Sequence, residues 1–155
     1  MSKPRISSEL NEAAALLGAI AEDVRRRASP LQGRGERLQR VLAQLCARAR
    51  FKGAAVADAQ GLPLATHNLP LAADAIGAIA SVLGGALTTV GRATGHPEAA
   101  SITVELGLDQ KLVVRRIAEG DPAYFLVVLC PLGTDERSEI ELSLRQLGSL
   151  VGRGS

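Results

Sequence analysis

The chain has 155 residues, 46% of them hydrophobic and only 2% aromatic, with a formal net charge of +2 at pH 7. That length can bury a full hydrophobic core without disulfide or metal staples. Leu, Val, Ile and Ala must fill that core, and no aromatic residues interleave with the arginines, which counts against specific nucleic-acid binding through stacked bases.

The two cysteines, Cys46 and Cys130, fall in apolar patterns and read as buried free thiols suited to a reducing compartment. Charge is uneven: residues 1–52 carry 11 basic and 5 acidic side chains, the remainder 7 and 11. The basic excess includes Arg25, Arg26, Arg27, Arg34, Arg37, Arg40, Arg48, Arg50 and Lys52. A solvated helix surface explains it most simply; an acidic protein face, anionic lipid or nucleic acid is the alternative. No secretory signal is expected at the N-terminus, since Glu9, Glu12, Glu22 and Asp23 break its first hydrophobic face. No apolar run is expected to reach the ~18 residues of a membrane span. A soluble cytoplasmic protein is the expectation.

In chain order, Leu10, Ala13, Leu17, Ile20 and Val24 recur at helical spacing and predict a helix over 9–27, with Ser8 as its N-cap. Ser29-Pro30 and Gly33-Arg34-Gly35 form a breaker-rich linker. A second helix over 35–50 places Leu38, Val41, Leu42, Leu45 and Ala49 on one face. Residues 53–59 and 62–66 read as a hairpin, in which Asp58 accepts the turn's backbone hydrogens and Gly61 supplies a left-handed conformation.

A long helix over 71–93 carries Ile76, Ile79, Ala80, Leu83, Leu87 and Val90 in phase. Its Gly84-Gly85 pair costs ~1 kcal/mol per glycine relative to alanine, which predicts close approach by a neighbour, such as the same helix of another subunit. Three strands follow: 100–106 with Ile102, Val104 and Leu106 alternating, 111–118 after an Asp109-Gln110 turn, and a continuous apolar run from Tyr124 to Cys130. The last should be a central strand buried on both faces. Ser138 and Glu141 suggest a capping box for a final helix bearing Ile140, Leu144, Leu147 and Val151. The order is helix, helix, two strands, long helix, three strands, helix. Three divisions follow: an N-terminal extension and linker over 1–33, a domain over 34–151 and a tail over 152–155.

No constellation of catalytic residues interrupts this plan. The glycines at 84, 85, 91 and 95 lack the lysine and Ser/Thr of a phosphate loop and the preceding strand of a dinucleotide fingerprint. His67 and His96 have no Cys or His at ligand spacing, so no metal or other cofactor is expected. Ser101, Thr103 and Ser143 have no evident activating base. Asp109, Gln110, Lys111, Arg115 and Arg116 cluster around the second hairpin, where pairing of Glu105 with Arg115 or Arg116 would explain part of the charge and a protein contact the rest.

Four segments together resemble the Roadblock/dynein light-chain family. They are Gly53-Ala54-Ala55-Val56-Ala57-Asp58-Ala59-Gln60-Gly61-Leu62, the helix with Ala75-Ile76-Gly77-Ala78-Ile79, Ile102-Thr103-Val104-Glu105, and Tyr124-Phe125-Leu126-Val127-Val128-Leu129. With the final helix they span about residues 36–151. The resemblance implies an α+β fold, a five-stranded antiparallel sheet flanked by helices. It also implies a homodimer in which the third of the five strands in chain order, Ile102 to Leu106, and the long helix meet their symmetry mates. Ile76, Ile79, Leu83, Leu87 and Val90, dividing between core and dimer, and Ile102, Thr103, Val104, Glu105 and Leu106 are the interface residues expected on that basis.

Family members bind Ras-like small GTPases or serve as scaffolds. The resemblance therefore implies a non-catalytic regulator that positions a GTPase's switch segments, with Arg37, Arg40, Lys111, Arg115 and Arg116 as candidate partner contacts. A structural adaptor and a small-ligand sensor are the alternatives. The helix at 9–27 lies outside the compact family core.

Overall fold

The computed structural model describes residues 12–13, 15–17, 33–118 and 123–152. The chain divides into two units, 1–34 and 35–155. In the first, residues 12–13 and 15–17 are helical, including Ala13 and Leu17 of the predicted stripe; Ser8, Leu10, Ile20 and Val24 lie outside the described residues.

In the second unit, helix α1 (33–49, of which 35–49 belong here) is followed by β1 (Gly53–Asp58), β2 (Pro63–His67), α2 (Ala73–Thr94), β3 (Ser101–Leu106), β4 (Gln110–Ala118), β5 (Tyr124–Pro131) and α3 (Glu136–Gly152). The strands form one antiparallel sheet in the order β2-β1-β5-β4-β3. This is the five-stranded α+β architecture expected from the sequence. β5 is the middle strand, and Phe125 to Cys130 are buried throughout, as a strand covered on both faces must be.

Alternation along the strands splits the interior into two cores. Ala54, Val56, Val113, Leu126, Val128 and Cys130 point to α1 and α3, where they meet Leu38, Leu42, Leu45, Ile140, Leu147 and Val151. Ala55, Ala57, Leu112, Val114, Phe125, Val127 and Leu129 point the other way, to α2 with Ile76, Ala80 and Leu87. The helices therefore form layers on opposite sides of the sheet. Cys46 and Cys130 are buried free thiols in the first core; burial pushes the Cys46 thiol up to about 11.

Five expectations change. Gly33, Arg34 and Gly35, expected in a breaker-rich linker, are instead the first helical residues of α1. The β3–β4 turn is residues 107–109, opening on Gly107 at φ 65°, so Asp109 lies in the turn as expected but Gln110 already begins β4. Leu106 therefore faces Gln110, Glu105 faces Lys111, and Arg115 faces Ser101. Glu105 is not the cross-strand partner of either arginine.

The N-terminus of α3 is capped by Asp135 in place of a Ser138–Glu141 box. The Asp135 carboxylate accepts from the Ser138 amide at 3.4 Å and the Ser138 hydroxyl at 2.8 Å. The helix starts at Glu136, so Ser138 already lies inside its first turn.

Gly84 is explained within the chain: a Cβ there would lie 2.6 Å from the ring of Phe125, whereas at Gly85 it would meet nothing within 4 Å. Only the second glycine leaves space for a neighbour. Finally, α2 is long and apolar enough to cross a membrane by length and composition, with 22 residues and a mean hydropathy of 1.5. One of its faces is committed to the sheet through Ile76, Gly77, Ala80, Gly84 and Leu87. Its hydropathy comes from alanines and glycines interspersed among the large aliphatic residues, and not from one long aliphatic block.

Candidate protein-interaction surface

The β1–β2 turn is built as expected. The Asp58 carboxylate accepts from the amides of Gln60 and Leu62, both at 2.9 Å, and Gly61 takes φ 93°. The Gly61 carbonyl rests against Gly77, leaving no room for a Cβ on the helix at that point. Two backbones in contact fix how α2 lies across the sheet.

With α2 so placed, its remaining surface carries no charge from Ala75 to Gly91. Val82 is 68% exposed and Val90 50% exposed. Such a helix face is unusual in contact with water. Thr88 and Thr89 return their hydroxyls to the carbonyls of Gly84 and Gly85, both at 3.1 Å, which removes hydrogen-bonding demand from this face.

Beside it runs β3, the end strand of the sheet, whose outer backbone edge has no strand partner among the described residues. Ile102 and Val104 are half-buried on the α2 side, whereas Ser101, Thr103 and Glu105 are exposed. Between α2 and the strands lies an open groove of about 720 Å³. Leu71, Ile79, Val82, Leu83, Val104 and Leu106 contribute to its wall, and Gln110 is its only polar lining residue. An unpaired strand edge, an apolar groove and an uncharged helix face thus lie side by side.

The expected interface residues separate here. Ile76 and Leu87 are buried at 1% and 3% exposure and belong to the protein's own core. Ile79, Leu83, Val104 and Leu106 line the groove. Val90, Thr103 and Glu105 are exposed, and Ile102 is half-buried. Val82 and Leu71 were missed by the sequence reading. The signal that could have found Val82 is the uncharged stretch between Asp74 and Arg92, which leaves an apolar residue on every helix face.

The five basic candidates do not converge. Lys111 donates to Glu136 at 2.6 Å and to the Thr134 carbonyl at 2.8 Å; Arg115 donates to Glu141 at 2.6 Å. Both tie β4 to α3 or the segment before it. Arg116 points to the other face and donates to the Thr88 hydroxyl at 3.0 Å. Arg37 and Arg40 are exposed on α1, across the sheet from α2.

Among the histidines, His96 contacts exposed Glu98 at 2.8 Å, and His67 ends β2. Ser143 accepts from Arg48, which also holds Glu139 at 2.9 Å and so joins α1 to α3. Among the described residues, no group of three His, Cys, Asp or Glu side chains stands close enough to hold a metal ion.

The architecture and the exposed α2–β3 face define an α+β domain with a surface suited to another protein. No family model matches the sequence, and no curated protein matches it either. Solved structures do. MglB of Myxococcus xanthus aligns with 17% identity and a TM-score of 0.64, covering 76% of this chain and 90% of that one. Gliding protein MglB of Thermus thermophilus aligns with 16% identity and a TM-score of 0.65, covering 77% and 92%. A Roadblock/LC7 domain from Streptomyces avermitilis aligns with 20% identity and a TM-score of 0.57, covering 73% and 96%. The chain has the Roadblock/LC7 fold.

Proposed function

We propose that this chain is a non-catalytic, homodimeric member of the Roadblock/LC7 family that binds a Ras-like small GTPase in the cytoplasm and acts by positioning its switch segments. The observation that carries this reading is the α2–β3 face. Antiparallel pairing of two β3 edges would complete their backbone hydrogen bonds and remove an aggregation-prone edge. The same step brings Val82 and the open side of Gly85 toward the partner's helix. The MglB structures share this fold and support the comparison with bacterial regulators. The buried free thiols Cys46 and Cys130 suit a reducing compartment.

A small-ligand sensor is the weaker reading, because such a site needs several convergent polar groups and the groove offers Gln110 alone. A state-independent adaptor remains the competing function. Immobilised protein exposed to native lysate, with a non-hydrolysable GTP analogue or with GDP, separates the two. Selective recovery of a Ras-like GTPase in one nucleotide state is the expected result. Recovery of the same non-GTPase protein in both arms, without a GTPase, would replace regulation by adaptor function.

A further inference from the structure

The face of the sheet opposite α2 carries a second surface of different chemistry. Between α1 and α3 lies a groove of about 500 Å³ with Arg37 and Arg40 on one side and Arg145 on the other. No carboxylate lines it, and these three guanidiniums have no partner among the described residues. Of the acids on these two helices, Glu139 pairs with Arg48 and Glu141 with Arg115, and the exposed Glu36 does not line the groove.

The floor is apolar. Val41 is buried, Leu150 is half-buried, and Leu142 stands 69% exposed at the groove. The lining runs from Arg37 to Gln44 on α1 and from Leu142 to Leu150 on α3. At the rise of an α-helix, each wall is ~10–12 Å long, about two turns.

We propose that this groove receives an acidic amphipathic helix from a partner protein. Its apolar stripe lies on Val41, Leu142 and Leu150, and its carboxylates meet Arg37, Arg40 and Arg145. An isolated small anion would leave Leu142 in water, and a flat bilayer would not fill a furrow between two helices. A helix laid in the furrow uses both the apolar floor and the paired basic rims. This site lies on the opposite layer from the α2–β3 face, so it does not depend on the GTPase reading.

The test is photo-cross-linking of the full-length protein in its native cells, with p-benzoylphenylalanine replacing Leu142 and, separately, Val82. The expected Leu142 adduct maps to an acidic segment of another protein with apolar residues three and four apart. Combining Arg37→Glu, Arg40→Glu and Arg145→Glu should reduce that adduct ~10-fold or more, leaving the melting temperature and any Val82 adduct unchanged. The corresponding triple glutamine variant should give a smaller loss, which separates charge from side-chain volume. The proposal is overturned by absence of a polypeptide adduct, by a basic or uncharged target, or by an adduct indifferent to charge reversal. Cross-links to lipid, nucleic acid or another part of this same chain would also overturn it.

Discussion

Two glycines on α2, eight residues apart, should respond in opposite directions to the same substitution. At Gly77, a Cβ would lie 2.0 Å from the Gly61 carbonyl oxygen, 2.9 Å from its carbon and 3.3 Å from its Cα. Even a weak C–H···O contact needs ~3.3 Å, so helix and turn would have to part by more than about 1 Å. Both sides are backbone, and no rotamer change can relieve the overlap. The turn is held in place by the two hydrogen bonds to the Asp58 carboxylate. Alanine recovers ~1 kcal/mol of helix propensity, while overpacking costs ~1–3 kcal/mol. With a rigid contact at the costly end of that range, Gly77→Ala should destabilise by ~1–2 kcal/mol.

At Gly85 the same Cβ meets nothing, so Gly85→Ala should stabilise the isolated fold by ~1 kcal/mol. The expected gap between the variants is therefore ~2–3 kcal/mol. Urea unfolding followed by far-ultraviolet circular dichroism measures it. The series should span a range of protein concentrations, because association adds to apparent stability by mass action. A Gly77→Ala protein as stable as the parent would refute the packing of the β1–β2 turn on α2.

Other expectations follow from particular contacts. Glu136→Gln removes the charge opposite Lys111 in a largely buried pair and should cost ~1–3 kcal/mol, measured by urea unfolding. The Ser138 hydroxyl and then its amide hold the Asp135 carboxyl below its ordinary 3.8, so the cap stabilises above that value and is lost as pH falls through the folded value. Asp135→Ala should accordingly lower the melting temperature at neutral pH, and its deficit should shrink on acidification. Burial raises both thiols, so Cys46 and Cys130 should label slowly at pH ~8 in the folded protein and rapidly in denaturant, as followed by mass spectrometry.

Much of the fold was legible where one periodicity dominates. The stripe Leu38, Val41, Leu42, Leu45, Ala49 identifies the buried side of α1, and the continuous run through β5 identifies the middle strand. The Asp58–Gly61 turn was legible because a short carboxylate and a residue free to take positive φ meet a specific local need.

The β3–β4 register was not, because Gly107 and Asp109 both signal a turn and a shift between them changes every cross-strand pair. Lys111, Arg115 and Arg116 looked like one basic patch in sequence. Strand alternation sends Lys111 and Arg115 toward α3 and Arg116 toward α2. The division of the interface candidates also needed the three-dimensional packing. Ile76 and Leu87 share a helical pattern with Ile79 and Leu83, and only their position over the sheet separates core from groove.

The most direct test of the dimeric account is the solution mass of the purified protein, measured by sedimentation equilibrium for the parent and for Val82→Glu. The α2–β3 pairing predicts a parent mass twice the 16.1 kDa of one chain. A carboxylate on the exposed face of α2 should shift that equilibrium to the single-chain mass while leaving the circular dichroism spectrum unchanged. A parent of one-chain mass at ~100 μM, where even a weak specific dimer should be populated, would contradict the account. So would a dimer indifferent to Val82→Glu.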